Sequence, residues 1–248
     1  MALDANVGWL ATMTEPRGEY VELHGEENTQ RYVRDFRERL GVLDGALRAA
    51  GLPAHEEPDF AALGPDPRCD NTVRLGFYGS ARDWHLEALI AHLVVHREVP
   101  LSEEALREGT EAAFRSRHAP LAPPDARGAP PQSCFAHPYF VSYGFTSVYV
   151  PQPFSVVLEL DSAEHEVQYI GSSVALERAC SLVLAASGHL GPWSDPVMDL
   201  KEGKVPELEG LEPLEEVPPW LVLTLSLVER LGRIAKRSLK TRSVITFS

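Results

Sequence analysis

The sequence predicts an α+β fold: a mainly antiparallel sheet with helices packed against it. Three β-type runs follow one another between Tyr139 and Ile170, a nearly all-apolar helical stretch comes directly after them, and amphipathic helical periodicity recurs on either side.

In chain order, Ala5–Thr12 and Glu19–Leu23 read as short strands joined by a turn at Pro16, Arg17 and Gly18. Val33, Phe36, Leu40, Leu43 and Leu47 then step by three and four, one face of an amphipathic helix that Asn28 or Thr29 can cap and Gly51 can end. Gly41 and Gly45 on that helix leave room for another backbone to approach. Thr72–Tyr78 has strand character. A helix over about 81–97 follows, with Leu86, Leu89, Ile90 and Leu93 as its buried stripe, and a shorter one runs from Glu103 to about Arg115 behind the cap Ser102. Segment 117–138 carries Pro120, Pro123, Pro124, Pro130, Pro131 and Pro138, so neither a helix nor an inner strand can form there. It is the one candidate internal boundary of a chain that otherwise reads as a single domain over 1–248, with a sheet shared across it.

Tyr139–Val150 is rich in aromatic and β-branched residues and ends at Pro151, as a strand would. Phe154–Leu160 is almost wholly apolar, which suits a strand covered on both faces. His165–Ile170 alternates Val167 and Tyr169 with Glu166 and Gln168, a strand with one wet face. From Val174 to Ala186 only Glu177, Arg178 and Ser181 are polar, so that helix is buried around most of its circumference, with Ser172 as its cap and Gly188 as a left-handed stop. Val205, Leu208, Leu211, Leu214 and Val217 recur every three residues among Glu207, Glu209, Glu212, Glu215 and Glu216. That period suits a polyproline-type ribbon with one apolar edge and carboxylates on the others. Pro218 and Pro219 open a terminal helix reaching about Leu239. Leu221, Leu223, Leu225 and Leu227 alternate as in a strand, but Leu227, Leu231 and Ile234 continue at helical spacing. Its tail is basic through Arg230, Arg233, Lys236, Arg237 and Lys240, and Val244–Phe247 can add an edge strand.

The chain has 23 basic and 36 acidic residues, a net charge of -13. Such a surface repels nucleic-acid phosphate and anionic lipid, so no nucleic acid and no membrane are expected as partners, and a basic protein is. No apolar run is long enough to span a bilayer, and nothing before Arg17 reads as a secretory signal. Cys69, Cys134 and Cys180 are too few and scattered for a disulfide framework or a paired-cysteine zinc site, which points to a reducing cytoplasm.

His85, His92 and His96 share one face of their helix, and His92 with His96, four apart, can chelate a metal. The glutamate that a zinc-peptidase helix places after its first histidine is missing, however, and no third donor is specified. Imidazoles bordering a leucine stripe are also ordinary partly buried polar groups. Gly171, Ser172 and Ser173 lie between strand and helix, where backbone amides can hold an anion. The lysine of a P-loop and the further glycines of a dinucleotide loop are absent, and capping by Ser172 explains the turn more simply. His55–Glu57 and Glu164–Glu166 put imidazole beside carboxylates in turns that read as solvated. Cys134 near His137 has no visible base or oxyanion site to activate it. No catalytic residue is assigned and no cofactor is required.

Val7–Leu10, Gly51–Pro58, Tyr149–Phe154 and Ile170–Ser173 together resemble an uncharacterised family of bacterial cytosolic proteins. The resemblance is scattered from Val7 to Ser173 and carries no catalytic residue across. Acidity without a catalytic constellation then leads to the expectation of a non-enzymatic binding protein. It would meet a basic protein partner in the style of a toxin antidote (immunity protein), through Glu207, Glu209, Glu212, Glu215 and Glu216. The alternatives are a metal-dependent hydrolase built on His92 and His96, or a structural subunit of a larger assembly. The oligomeric state is left open.

Overall fold

The computed structural model describes residues 2–16, 18–63, 72–77, 89, 92–93, 96, 98–108, 147–154, 158–160, 169–188 and 217–247. Its strands are β1 (Ala2–Val7), β2 (Thr72–Phe77), β3 (Ser147–Val150), β4 (Leu158–Glu159), β5 (Tyr169–Ser172) and β6 (Ile245–Phe247). They pair in the order β2-β1-β6-β3-β5-β4. Every ladder is antiparallel except that of β3 with β5, so the α+β class holds with a mixed sheet. β1 and β2 precede segment 117–138 and the other strands follow it, and β1 pairs with β6 across that divide.

Successive side chains of a strand point to opposite faces, and this sorts the helices into two layers. Ala5, Val7, Tyr149, Ile245 and Phe247 pack with α5 (Ser173–Ser187) and α6 (Pro219–Thr241). Val148, Val150, Leu158 and Ile170 turn the other way, towards α1 (Trp9–Thr14) and α3 (Glu26–Ala49). The short helices α2 (Glu19–His24) and α4 (Phe60–Leu63) attach to that second layer, α2 against α3 and α4 against α1.

The long helices form where periodicity predicts them. α3 buries Phe36, Leu43 and Leu47 and ends at Gly51, whose φ of 73° lets its N–H reach Arg48 O at 3.0 Å while Leu52 N–H reaches Leu47 O at 2.8 Å. That pair of bonds is a Schellman motif. α6 carries Pro219 in its first turn and buries Leu221, Leu225, Val228, Leu231 and Ile234, so the helical period prevails over the leucine alternation. Ser172 Oγ caps α5 by accepting Ala175 N–H at 3.2 Å. Residues 103–108 are helical behind Ser102, whose Oγ accepts Ala105 N–H at 3.1 Å. Leu89 and Leu93 are fully buried.

Short segments depart from expectation. The strand at Ala5–Thr12 ends at Val7, because Gly8 adopts φ 68° and turns the chain into α1, where Thr12 N–H bonds Gly8 O at 3.1 Å. Glu19–Leu23 is helical, within a helix of six residues to His24: so short a run of mixed polarity satisfies either period, and the helix lets Tyr20 meet His24 one turn later, the rings tilted at 4.4 Å between centroids. α3 begins at Glu26, ahead of both expected caps, and Asn28 and Thr29 instead return their side chains to the carbonyls of His24 and Gly25 at 2.9 and 2.8 Å. Gly41 and Gly45 face open space. Gly188 is right-handed, at φ -58°. The strand expected at His165–Ile170 is described from Tyr169 and runs on to Ser172. Segments 81–88, 109–146, 161–168 and 189–216 lie outside the described residues.

Candidate functional surface

The corner where α2 meets α3 gathers two kinds of side chain. Tyr20 touches Trp9 edge-on at 5.4 Å, His24 at 4.4 Å and Tyr32 at 6.0 Å between ring centroids, and His24 meets Tyr32 at 5.8 Å. The Arg31 guanidinium lies 5.4 Å over the Tyr32 ring. Burial, and then the neighbouring Tyr32, push the Tyr20 phenol up, so it stays neutral. Leu23, on the same short helix, is 70 % exposed. Interleaved with this apolar set are Glu22, Glu26 and Glu27, all exposed, the last two in the first turn of α3 where the helix dipole favours carboxylates.

An open groove of about 900 Å³ adjoins the corner, with Met13, Val21 and Val33 as apolar lining and Glu15, Glu26, Glu38, Arg34 and Arg37 as charged lining. The hydroxyls of Thr14 and Thr29, which also line it, donate to the carbonyls of Leu10 and Gly25, each at 2.8 Å. What the corner and groove can do is attract cationic side chains and then bury apolar area against them.

The residues singled out from sequence fare differently. Glu207, Glu209, Glu212, Glu215 and Glu216 lie outside the described residues, which resume at the buried Val217. His85 lies outside them too. His92 and His96 do come together, with ring centroids 4.5 Å apart and planes tilted by 34°. His92 is buried, and its Nδ1 has no hydrogen-bond partner among the described residues. Burial, then His96, hold its pKa below the ordinary value, against the pull of Glu98. Among the described residues no group of three or more histidine, cysteine, aspartate or glutamate side chains could hold a metal.

The turn at Gly171, Ser172 and Ser173 is fully committed to structure. Ser172 Oγ donates to Gln152 O at 2.5 Å as well as capping α5, and Ser173 Oγ lies 2.8 Å from Ser238 Oγ. A Cβ on Gly171 would stand 2.6 Å from the Tyr149 ring, so the glycine serves a close approach. The turn at His55–Glu57 is not solvated either: His55 Nε2 lies 2.7 Å from Glu57 Oε2, with side-chain exposures of 5 % and 0 %. Cys180 is a free, buried thiol whose pKa burial pushes up to about 12, so it is no nucleophile. Cys134 and His137 lie outside the described residues.

The aromatic corner was the feature missed in sequence. Read at helical spacing, Tyr20, Leu23 and His24 fall on one face, but the strand reading of Glu19–Leu23 put Tyr20 and Leu23 on opposite ones. Among the described residues no helix is long and apolar enough to cross a membrane.

A family model described as "Putative DNA-mimic protein" matches residues 1–247. No curated protein and no solved structure matches the chain. The family finding overturns the expectation of a toxin-antidote protein meeting a basic protein partner. Net charge alone does not distinguish acidity matched to one basic protein from acidity that stands in for phosphate.

Proposed function

The chain belongs to the DNA-mimic protein family, and on that premise we propose that it binds a DNA-binding protein at the surface the partner uses for nucleic acid. Carboxylates take the place of phosphates there, satisfying lysine and arginine side chains that would otherwise displace counterions from DNA. The observation that carries the reading is the family match over the whole chain, together with a net charge of -13. The exposed Glu22, Glu26 and Glu27 support it locally. Competition with DNA then follows from shared occupancy, without any reaction. We further place the protein in the bacterial cytoplasm as one functional unit, in keeping with its resemblance to bacterial cytosolic proteins and with the free thiol of Cys180.

The test is capture followed by competition. Full-length protein is immobilised, nuclease-treated lysate of the source cells is passed over it at low salt, and the column is eluted with a random-sequence DNA duplex. Proteins released by the duplex, and absent from a column carrying an unrelated protein of equal net charge, are the expected result. Release of nothing beyond that control would sink the reading.

A further inference from the structure

We propose that the corner formed by α2 and the start of α3, anchored by Leu23 beside Tyr20, His24 and Tyr32 and edged by Glu22, Glu26 and Glu27, is the surface that enters the phosphate-binding groove of the DNA-binding partner. This rests on the DNA-mimic reading and adds to it a location and a second source of affinity.

Charge is the first argument. Between Glu15 and Gln30 the chain has five glutamates and one arginine, after which α3 turns mixed, with Arg31, Arg34, Arg37 and Arg39 against Asp35 and Glu38. The acidic patch is therefore bounded. The other helical layer offers the opposite sign, since Arg233, Lys236 and Lys240 are exposed on α6. A cationic groove approaching these layers is drawn to the α2–α3 side and repelled from α6.

Exposed apolar area is the second. Leu23 is 70 % exposed, against 53 % for Leu101 and 37 % for Leu182, the other large apolar side chains exposed among the described residues. It projects from the helix that carries Tyr20 and His24, whose rings are held by edge and tilted contacts. Rings already packed against one another lose little freedom on binding, which is what an interface anchor needs. A DNA backbone offers only the carbons of its sugar rings for such contact. The corner thus lets the mimic keep hold of its partner at salt concentrations that strip DNA away, because the apolar part of the affinity is not screened.

The same capture experiment locates the surface when four columns are compared: wild type, Leu23→Ser, Leu101→Ser, and the triple variant Glu22→Gln, Glu26→Gln, Glu27→Gln. Each is washed in rising salt before elution with the duplex, after circular dichroism has shown unchanged helix content. Leu23→Ser is expected to retain at least about tenfold less duplex-releasable protein at intermediate salt. The triple variant is expected to lose it already at low salt, and Leu101→Ser to match wild type. If wild type retains such proteins and neither Leu23→Ser nor the triple variant weakens retention, the mimic reading stands and the corner is wrong. Weakening by Leu101→Ser alone likewise rules out the corner and leaves the mimic reading in place. If wild type retains nothing that the duplex releases, both ideas fall together.

Discussion

His55 and Glu57 form a buried pair: Nε2 lies 2.7 Å from Oε2, and the same carboxylate oxygen accepts the backbone N–H of Val244 at 2.8 Å. His55 is tied in turn to α3, its own N–H reaching Asp44 Oδ1 at 2.7 Å. The pair clips the segment after α3 to the residue that precedes β6. Glu57→Ala leaves the Val244 amide without its acceptor and the imidazole without its partner inside the protein, and is expected to cost about 2–4 kcal/mol. Urea unfolding of wild type and variant checks this.

The same carboxyl has a pH signature. Burial holds the Glu57 pKa above the ordinary carboxylate value, against the lowering pull of its bonds to His55 and Val244. A raised folded-state pKa means that the folded protein keeps a proton which the unfolded chain releases, so this group's contribution is fully present below the unfolded pKa and is lost as pH rises through the folded one. The stability difference between wild type and Glu57→Gln is therefore expected to favour wild type most at acid pH and to shrink as pH rises. A flat difference would show that folding leaves the Glu57 pKa unshifted, and one that grows with pH would show that folding lowers it.

Gly171 stands where Tyr149 needs the room. A Cβ at that position meets Cε1 and Cδ1 of the ring at 2.6 and 2.7 Å, and Tyr149 is 1 % exposed, with Phe247 edge-on at 6.1 Å. Gly171→Ala is expected to destabilise by about 1–3 kcal/mol through overpacking. Combining it with Tyr149→Leu should recover part of that loss, so the two changes should be non-additive in a double-mutant cycle.

Ser172 joins the cap of α5 to the chain leaving β3, through Ala175 N–H at 3.2 Å and Gln152 O at 2.5 Å. Ser172→Ala removes both bonds and is expected to cost about 1–2 kcal/mol. Ser172→Thr keeps the hydroxyl, and thermal unfolding should place it between the two.

Cys180 lies under Gly232 of α6, its Cβ 3.3 Å from where a Gly232 Cβ would stand, and its thiol pKa is pushed up to about 12 by burial. Iodoacetamide at mildly alkaline pH should leave the Cys180 peptide unmodified in folded protein and modify it fully in urea, as mass spectrometry would show. Rapid modification of the folded protein would mean that the α5–α6 contact opens readily.

Much of the scaffold is legible in the sequence because it is written in local periodicity. Leu43 and Leu47 on α3, Leu231 and Ile234 on α6, the Ser172 cap and the Gly51 stop all follow from residues within a turn or two of one another. The acidity is equally plain from composition. Six-residue segments are not, since α2 is too short for a period of two to be told from one of 3.6, and with it went Tyr20, Leu23 and His24 as one face. Nor does a neighbour-by-neighbour reading find Glu57 beside His55, because extended residues share a face with the one two positions on, and its other partner, Val244, lies 187 residues away. Which family the chain belongs to was likewise beyond composition, since net charge fixes the sign of the attracted partner and leaves its shape open. Local pattern and composition were enough for the long helices, the fold class and the charge. Tertiary structure decided which faces the strands turn to each helical layer, why Gly171 is a glycine, and where exposed carboxylates meet an apolar anchor, because each of these depends on groups that only long-range packing brings together.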